Sequence, residues 1–309
     1  MLGFIDKIRQ AIFKGSIVDE FIRDTSVDLL RQMSVSRMRD SILSSREAGI
    51  TDEKYASCDL IVSLTSYGKR IHDVSLTIES LMRQTLKPNK IILWLSEEEF
   101  NLNNLPRILC RQMERGLTIE FCRDLRSYTK LVHSILRFPD DIIITVDDDV
   151  LYQQDLIENL LNGYRQQPKM IHFCRGHRMK LDKANMPQPY MKWEFGINDE
   201  QVSNRNFFLG IGGVLYPPHS LHTDVTDANL FMNLAPFADD VWFNAMAMLK
   251  GTLSRKVFTH NYYGRGKDFI DMDFETQQTT ALFNINAEKN DKQIKDVFER
   301  YNLYSLIRS

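Results

Sequence analysis

Three consecutive aspartates, Asp147, Asp148 and Asp149, close the apolar run DIIITV (141–146). Side by side their charges repel, and the repulsion grows as the local dielectric falls. A divalent cation removes that cost, because hard cations prefer carboxylate oxygens and bridge to phosphates. If the run is a strand, its period of two aims Asp147 and Asp149 roughly together, with Asp148 between them. The alternative is a solvated acidic turn in which Asp149 caps the next helix. An apolar strand leading straight into the acids favours the metal. A second acidic pair, Asp239 and Asp240, follows the apolar stretch LFMNLAPFA. There it opens a helix, with Asp239 as N-cap and both charges complementing the helix dipole, worth about 0.5–2 kcal/mol.

The elements around these residues read as stacked βαβ units. Residues 1–50 are helical in pattern, and strand-like alternation is absent there. From Cys58 short apolar runs alternate with helical patterns, the sequence form of a mostly parallel α/β sheet. Strands are predicted at 59–64, 90–96, 117–122 and 141–146, with helices over 72–84, from Pro106, and over 130–138. The second half is less regular. Strands are predicted at 170–174, 212–216 and 256–260, and a helix over 240–249 closed by Gly251. The expected division is a helical extension over 1–50, a catalytic domain over 51–270 and a helical tail over 271–309.

The triplet resembles the D-x-D motif of glycosyltransferases with the GT-A fold, family 2-like and bacterial. The opening VSLTSYGKR resembles the part of that fold that receives the nucleotide. IESLMRQTLKPNKIILWLS is similar to the helix and second strand of the same half, including the Q-T-x-x-P-x-x-I spacing. The resemblance runs over about 58–262 as an ordered series. It implies a Rossmann-like, GT-A-like sheet and sugar transfer from a nucleotide-sugar donor, by default UDP-linked, to a hydroxyl of a glycan or glycolipid. It further implies a metal held by Asp147, Asp149 and His260, the last closing the KVFTH run. Imidazole is softer than the ligands magnesium favours, which points to manganese. Donor contacts fall to Thr65, Tyr67, Arg70, Asp124, Lys130, Asp147 and Asp148, with Gly212 and Gly213 lining the sugar. Arginine suits a diphosphate because its planar fork meets two oxygens at once. Asp240 becomes the base that deprotonates the acceptor, with Asp239 holding an acceptor hydroxyl and inversion favoured. Arg265 and Lys267 form a candidate lid. Trp193 is by default a core residue, and Arg175, His177 and Arg178 read as too basic for a core segment, so they face either the donor or an acidic acceptor.

Two rivals stand beside this reading. A sugar-1-phosphate nucleotidyltransferase needs a glycine-rich loop after its first strand, where TSYGKR has one glycine. A non-catalytic nucleotide- or carbohydrate-binding module needs no base, which the second acidic pair would supply.

Composition narrows the partners. A net charge of −2 gives no basic face for nucleic acid. The four cysteines lack metal or disulfide spacing, which suggests reduced thiols and a cytoplasmic setting. No run approaches the roughly 20 apolar residues of a membrane span. The apolar face of Leu2, Ile5, Ile8 and Ile12 can pack on its own domain, pair with a second subunit or rest on the inner membrane face. Packing on its own domain or on a second subunit is the favoured option. By analogy alone, the acceptor is a bacterial surface polysaccharide such as capsule or lipopolysaccharide.

Overall fold

The computed structural model describes residues 26, 29–30, 32–260, 269–272 and 282–307. The expected face of residues 2–12 and the lid residues Arg265 and Lys267 lie outside that set. A helix over 32–44, α1, precedes the alternating part. Then follow β1 (Leu60–Thr65), α2 (Val74–Met82), β2 (Lys90–Ser96), α3 (Arg107–Met113), β3 (Leu117–Cys122), α4 (Thr129–Arg137) and β4 (Ile142–Thr145). The second half comprises β5 (Val150–Tyr152), α5 (Leu156–Gln166), β6 (Ile171–Phe173), β7 (Gly176–Arg178), β8 (Asn206–Phe208) and β9 (Val214–Tyr216). It ends with α6 (Ala228–Leu234), α7 (Asp239–Lys250), β10 (Ser254–Lys256), β11 (Phe269–Asp271) and α8 (Leu282–Tyr301).

Seven strands form one sheet in the order β10-β6-β9-β4-β1-β2-β3. All its pairings are parallel except those of β9, which runs antiparallel to both β4 and β6. The protein is therefore an α/β fold with a mostly parallel sheet flanked by helices. Burial on both faces explains why the inner strands are nearly continuous apolar runs. In β1, Leu60, Val62 and Leu64 join the core under α2, α3 and α5, while Ile61 packs with Ile92 and Trp94 on the opposite face. On that face Ser63 is satisfied by the Lys130 carbonyl at 2.5 Å and by Ser134 at 2.7 Å, which seats α4 over β1.

The terminal helices are built into these cores. Ile42 of α1 packs with Leu76, Leu151, Ile270 and Met272. Ser41 donates to Glu79 at 2.8 Å, and Arg115 pairs with the same fully buried carboxylate at 2.7 Å. Ile294, Val297 and Phe298 of α8 lie in the large core that contains Trp242 and Phe243. Among the described residues, no helix is long and apolar enough to cross a membrane. None of the four cysteines is in a disulfide.

Two differences from the expected boundaries bear on the site. The strand predicted at 256–260 is Ser254–Lys256, and residues 257–260 leave the sheet. Helix α7 begins at Asp239, its N-cap is Ala238, and no side chain caps it. Asp239 therefore acts in the first turn rather than as the cap. The left-handed Gly251 (φ 79°) closes that helix as the sequence suggests.

Candidate active site

The strand that leads to the acids stops at Thr145, so Asp147, Asp148 and Asp149 form the connection from β4 to β5. Side-chain alternation does not extend through them, and the three carboxylates part company. Asp148 turns inward, 6% exposed, between Ser66 Oγ at 2.6 Å and an Arg70 amino group at 2.8 Å. Burial raises its pKa, and Arg70 and Ser66 oppose that shift. The same Arg70 nitrogen lies 3.1 Å from Asp149 Oδ2. Burial works against the Arg70 charge, but the two carboxylates hold its pKa above the usual value. Asp147 is engaged on the other side, where Lys130 Nζ lies 2.5 Å from its Oδ1.

The backbone of this connection is fixed by hydroxyls. The Tyr152 hydroxyl accepts from the Asp147 N–H at 2.9 Å and donates to the Ile211 carbonyl at 3.0 Å. The Thr77 hydroxyl lies 2.9 Å from the carbonyl oxygens of Asp148 and Val150. Sequence reasoning had no signal for Tyr152 or Thr77, because neither belongs to the acidic motif. Ser66 could have been found, since it sits inside the TSYGKR turn already singled out.

The second acidic pair meets the first. Lys130, in the first turn of α4, is 3.2 Å from Asp239 Oδ2 as well as bound to Asp147. Asp240 Oδ1 accepts the Gly210 N–H at 2.9 Å. A Cβ on Gly210 would lie 2.8 Å from Lys130 Nζ, 3.4 Å from Asp240 Oδ1 and 3.5 Å from Asp147 Oδ1. One glycine thus marks the point where the strand-end acid, the helix-start acid and the buried lysine converge. Burial lowers the Lys130 pKa, but Asp147, Asp239 and Asp240 together raise it well above the usual value. Asp240 is pushed up to about 8 by burial and by Asp239, against the opposing pull of Lys130.

The charge balance bears on a metal. Among the described residues, with Asp240 protonated near neutral pH, four carboxylates (Asp147, Asp148, Asp149, Asp239) face two cations (Arg70, Lys130), an excess of two negative charges. The side chains of Asp147 and Asp149 are 29% and 23% exposed and so are open to a ligand. This residual charge on hard oxygens fits a divalent cation. Among the described residues, however, no group of three or more His, Cys, Asp or Glu is gathered as a metal site. The expected trio of Asp147, Asp149 and His260 is therefore not preassembled. His260 is half exposed, with Nδ1 3.0 Å from Asp155 Oδ2.

The remaining sequence candidates occupy the same sheet edge or its neighbourhood. Thr65 Oγ1 donates to the Trp94 carbonyl, and Tyr67 is exposed with the Arg70 guanidinium 5.2 Å over its ring. Asp124 Oδ1 accepts the Arg126 N–H at 2.7 Å, fixing the turn after β3. Gly212 is glycine of necessity, since a Cβ would fall 2.4 Å from the Arg175 Cβ, and Gly213 has φ +89°. Trp193 is core, as its default reading has it, packed against Tyr190 and Phe207. The basic reading of 175–178 needs correction at two residues. His177 is buried and neutral, its pKa lowered to about 4 by burial, and Arg178 is neutralised by Asp199 at 2.6 Å.

Among solved structures, the chain is similar to the mannosyltransferase PcManGT from Pyrobaculum calidifontis, in complex with GDP-Man and Mn2+. That match has a TM-score of 0.42 and 12% identity, over 78% of this chain and 65% of the other. The chain thus spans under two thirds of that enzyme's length. It is also similar to a CMP:2-keto-3-deoxy-manno-octonic acid synthetase complexed with CTP, with a TM-score of 0.41 and 14% identity. There the match covers 74% of this chain and 99% of the other. No family model and no curated protein matches the chain.

Proposed function

We propose that this protein is a metal-dependent glycosyltransferase that moves a sugar from a nucleotide-sugar donor to a hydroxyl of a glycan or glycolipid. The observation that carries this reading is the meeting at Gly210 of Asp147, Lys130 and Asp240, contributed by three separate segments. A binding module has no need of a carboxylate whose pKa is lifted toward neutrality beside an acidic phosphate-type site. A transferase does, because an alcohol attacks well only as its proton is taken.

In this reading the acceptor oxygen forms its bond to the anomeric carbon while Asp240 takes the hydroxyl proton. The bond from that carbon to the donor phosphate breaks, and the electron pair leaves with the nucleoside diphosphate. Attack opposite the leaving group inverts the anomeric centre. Asp239, paired with Lys130, accepts a second acceptor hydroxyl in this reading. Thr65 and Asp124 border the base and ribose, Tyr67 and Arg70 the edge of the diphosphate, and Gly212 and Gly213 the sugar. A divalent cation held by Asp147 and Asp149, with His260 as a further ligand, supplies Lewis-acid neutralisation of the leaving group, with manganese favoured. A bacterial surface glycan made at the inner face of the cytoplasmic membrane is the proposed setting.

The test is a donor screen: purified protein with a panel of nucleotide sugars and manganese, magnesium or EDTA, following release of nucleoside diphosphate. Metal-dependent release from one donor, lost in Asp147→Ala and Asp149→Ala, supports the class and names the sugar. Pyrophosphate release from a nucleoside triphosphate and a sugar phosphate would instead make the protein a nucleotidyltransferase. No turnover together with no metal-dependent nucleotide binding by calorimetry would end the transferase reading.

A further inference from the structure

The sheet register places a second side chain level with the acidic triplet. Thr145 at the end of β4 and Phe173 at the end of β6 both pair with Val214 of β9. Because β9 runs antiparallel to both neighbours, β4 and β6 are parallel and end at the same edge. Two residues beyond that row stand Asp147 on one side and Arg175 on the other. Two residues before it stands Gly212. The strands are separated by two inter-strand spacings, about 10 Å, a gap that a diphosphate group can occupy.

Arg175 is held firmly in that place. Its carbonyl accepts the Leu209 N–H at 3.0 Å, and the preceding Cys174 N–H donates to the Gly213 carbonyl at 3.2 Å. Its backbone nitrogen and Cβ press so closely on Gly212 that only glycine fits there. The guanidinium lies 5.2 Å over the Phe269 ring. Phe269 belongs to β11, which pairs with the β5 strand that follows the triplet. Its neighbour across that pairing, Tyr152, is the residue whose hydroxyl holds the Asp147 N–H.

Arg175 as a residue is half-buried, yet no carboxylate among the described residues pairs with it. That sets it apart from its neighbours. Arg70 and Lys130 are bound to the acids of the site, and Arg115, Arg178 and Arg255 each have a carboxylate partner. The Arg175 charge has only an aromatic face beneath it, and its five donors form a fork suited to phosphate oxygens. Arg70 and Lys130 are already committed to the acids, so a donor diphosphate calls for a further positive group.

We propose that Arg175 binds the diphosphate of the nucleotide substrate from the side of the glycine turn opposite Asp147. The assignment deepens the transferase reading and rests on it. It makes residues 210–213 the floor of the diphosphate site, walled by a carboxylate-held cation on one side and by a guanidinium on the other.

The experiment is calorimetric binding of uridine, guanosine and cytidine diphosphates and of the matching nucleosides, with manganese. It uses the wild type, Arg175→Gln and Arg175→Lys, with thermal melts as the check on folding. The expected result is a loss of about ten- to a hundredfold in diphosphate affinity for Arg175→Gln, the range for a charged hydrogen bond. Nucleoside affinity should stay unchanged, and Arg175→Lys should fall between. Wild-type affinity for the diphosphate in Arg175→Gln overturns the assignment and leaves the transferase reading standing. Equal losses for nucleoside and diphosphate in both variants overturn it as well. A wild type that binds none of the three diphosphates overturns both.

Discussion

Lys130 Nζ lies 2.5 Å from Asp147 Oδ1, and only 6% of the lysine side chain is exposed. The ion pair ties the first turn of α4 to the end of β4, and its second arm reaches Asp239 at 3.2 Å. Breaking one partner of a buried pair leaves an uncompensated charge, which costs about 3–5 kcal/mol. Lys130→Met should lose stability of that order in urea denaturation. Manganese should restore part of the loss, because a cation at Asp147 replaces the missing charge. A midpoint that manganese does not move would place the cation elsewhere.

Asp240 carries a pH dependence whose sign is fixed. Its folded pKa of about 8 stands above the usual 3.8, so between those values the native protein keeps a proton that the unfolded chain releases. Its contribution to stability is full below about pH 4 and is lost as pH rises toward 8. Turnover follows the opposite course, because the base must be ionised. The kcat/KM profile should climb through about pH 8, and Asp240→Asn should lower turnover by about 10²–10⁴-fold while donor binding survives. The same variant should remove the matching part of the stability slope. Unchanged turnover in Asp240→Asn assigns the base to another group.

Gly210→Ala tests the convergence point directly. The added methyl would press on Lys130 Nζ at 2.8 Å, and that ammonium is pinned by two carboxylates and cannot swing away freely. Overpacking of this kind costs about 1–3 kcal/mol. Displacing the lysine and Asp240 by a fraction of an ångström should cut turnover by about a hundredfold. Steady-state kinetics beside a thermal melt separate the two effects. Wild-type turnover would mean that the three groups do not act together.

Glu79 makes a prediction far from the chemistry. It is fully buried, and Ser41, Arg115 and Gln112 all direct donors at it. Glu79→Ala should cost about 3–5 kcal/mol by leaving Arg115 without its counter-charge. It should also loosen α1, whose Ser41 loses its acceptor, so that limited proteolysis cuts near Arg46 sooner than in the wild type. Equal cutting rates would mean that the apolar contacts of Ile42 and the Arg83 and Arg111 bonds to α1 suffice to hold the helix.

The strands of four or more residues are the part of this architecture that sequence located best. β2 and β3 fall on their predicted residues, and β1 and β4 lie within a residue of theirs, because LIVSLT and IIIT are apolar on both faces. The three-residue strands β5, β7, β8 and β11 went unpredicted, whereas the equally short β6 and β9 were flagged by the apolar runs MIHFC and GGVLY. The site divides in the same manner. The acids stood out by type and spacing, and Asp240 and Lys130 were singled out from their places in the chain order. Lys130 was expected at the phosphates, yet its ammonium lies between Asp147 and Asp239, a contact between segments distant in sequence. Gly210 was one of three glycines in GIGGVLY, and only the packed structure distinguishes the one that faces the acids.

Helix α8 reaches back to the loop before the second acidic pair. Gln293 Oε1 accepts the Phe237 N–H at 3.0 Å, two residues before Asp239, and Asp291 accepts the Tyr190 N–H at 2.7 Å. The consequence concerns birth order rather than architecture. A chain emerging from the ribosome presents the phosphate-side acids early, once β1 to β4 can pair, because folding during synthesis proceeds from the N-terminal end. The loop that sets the proton acceptor gains its last supports only when residues near 293 are free to fold. On the proposed function, a half-made molecule holds a nucleotide before it can transfer a sugar.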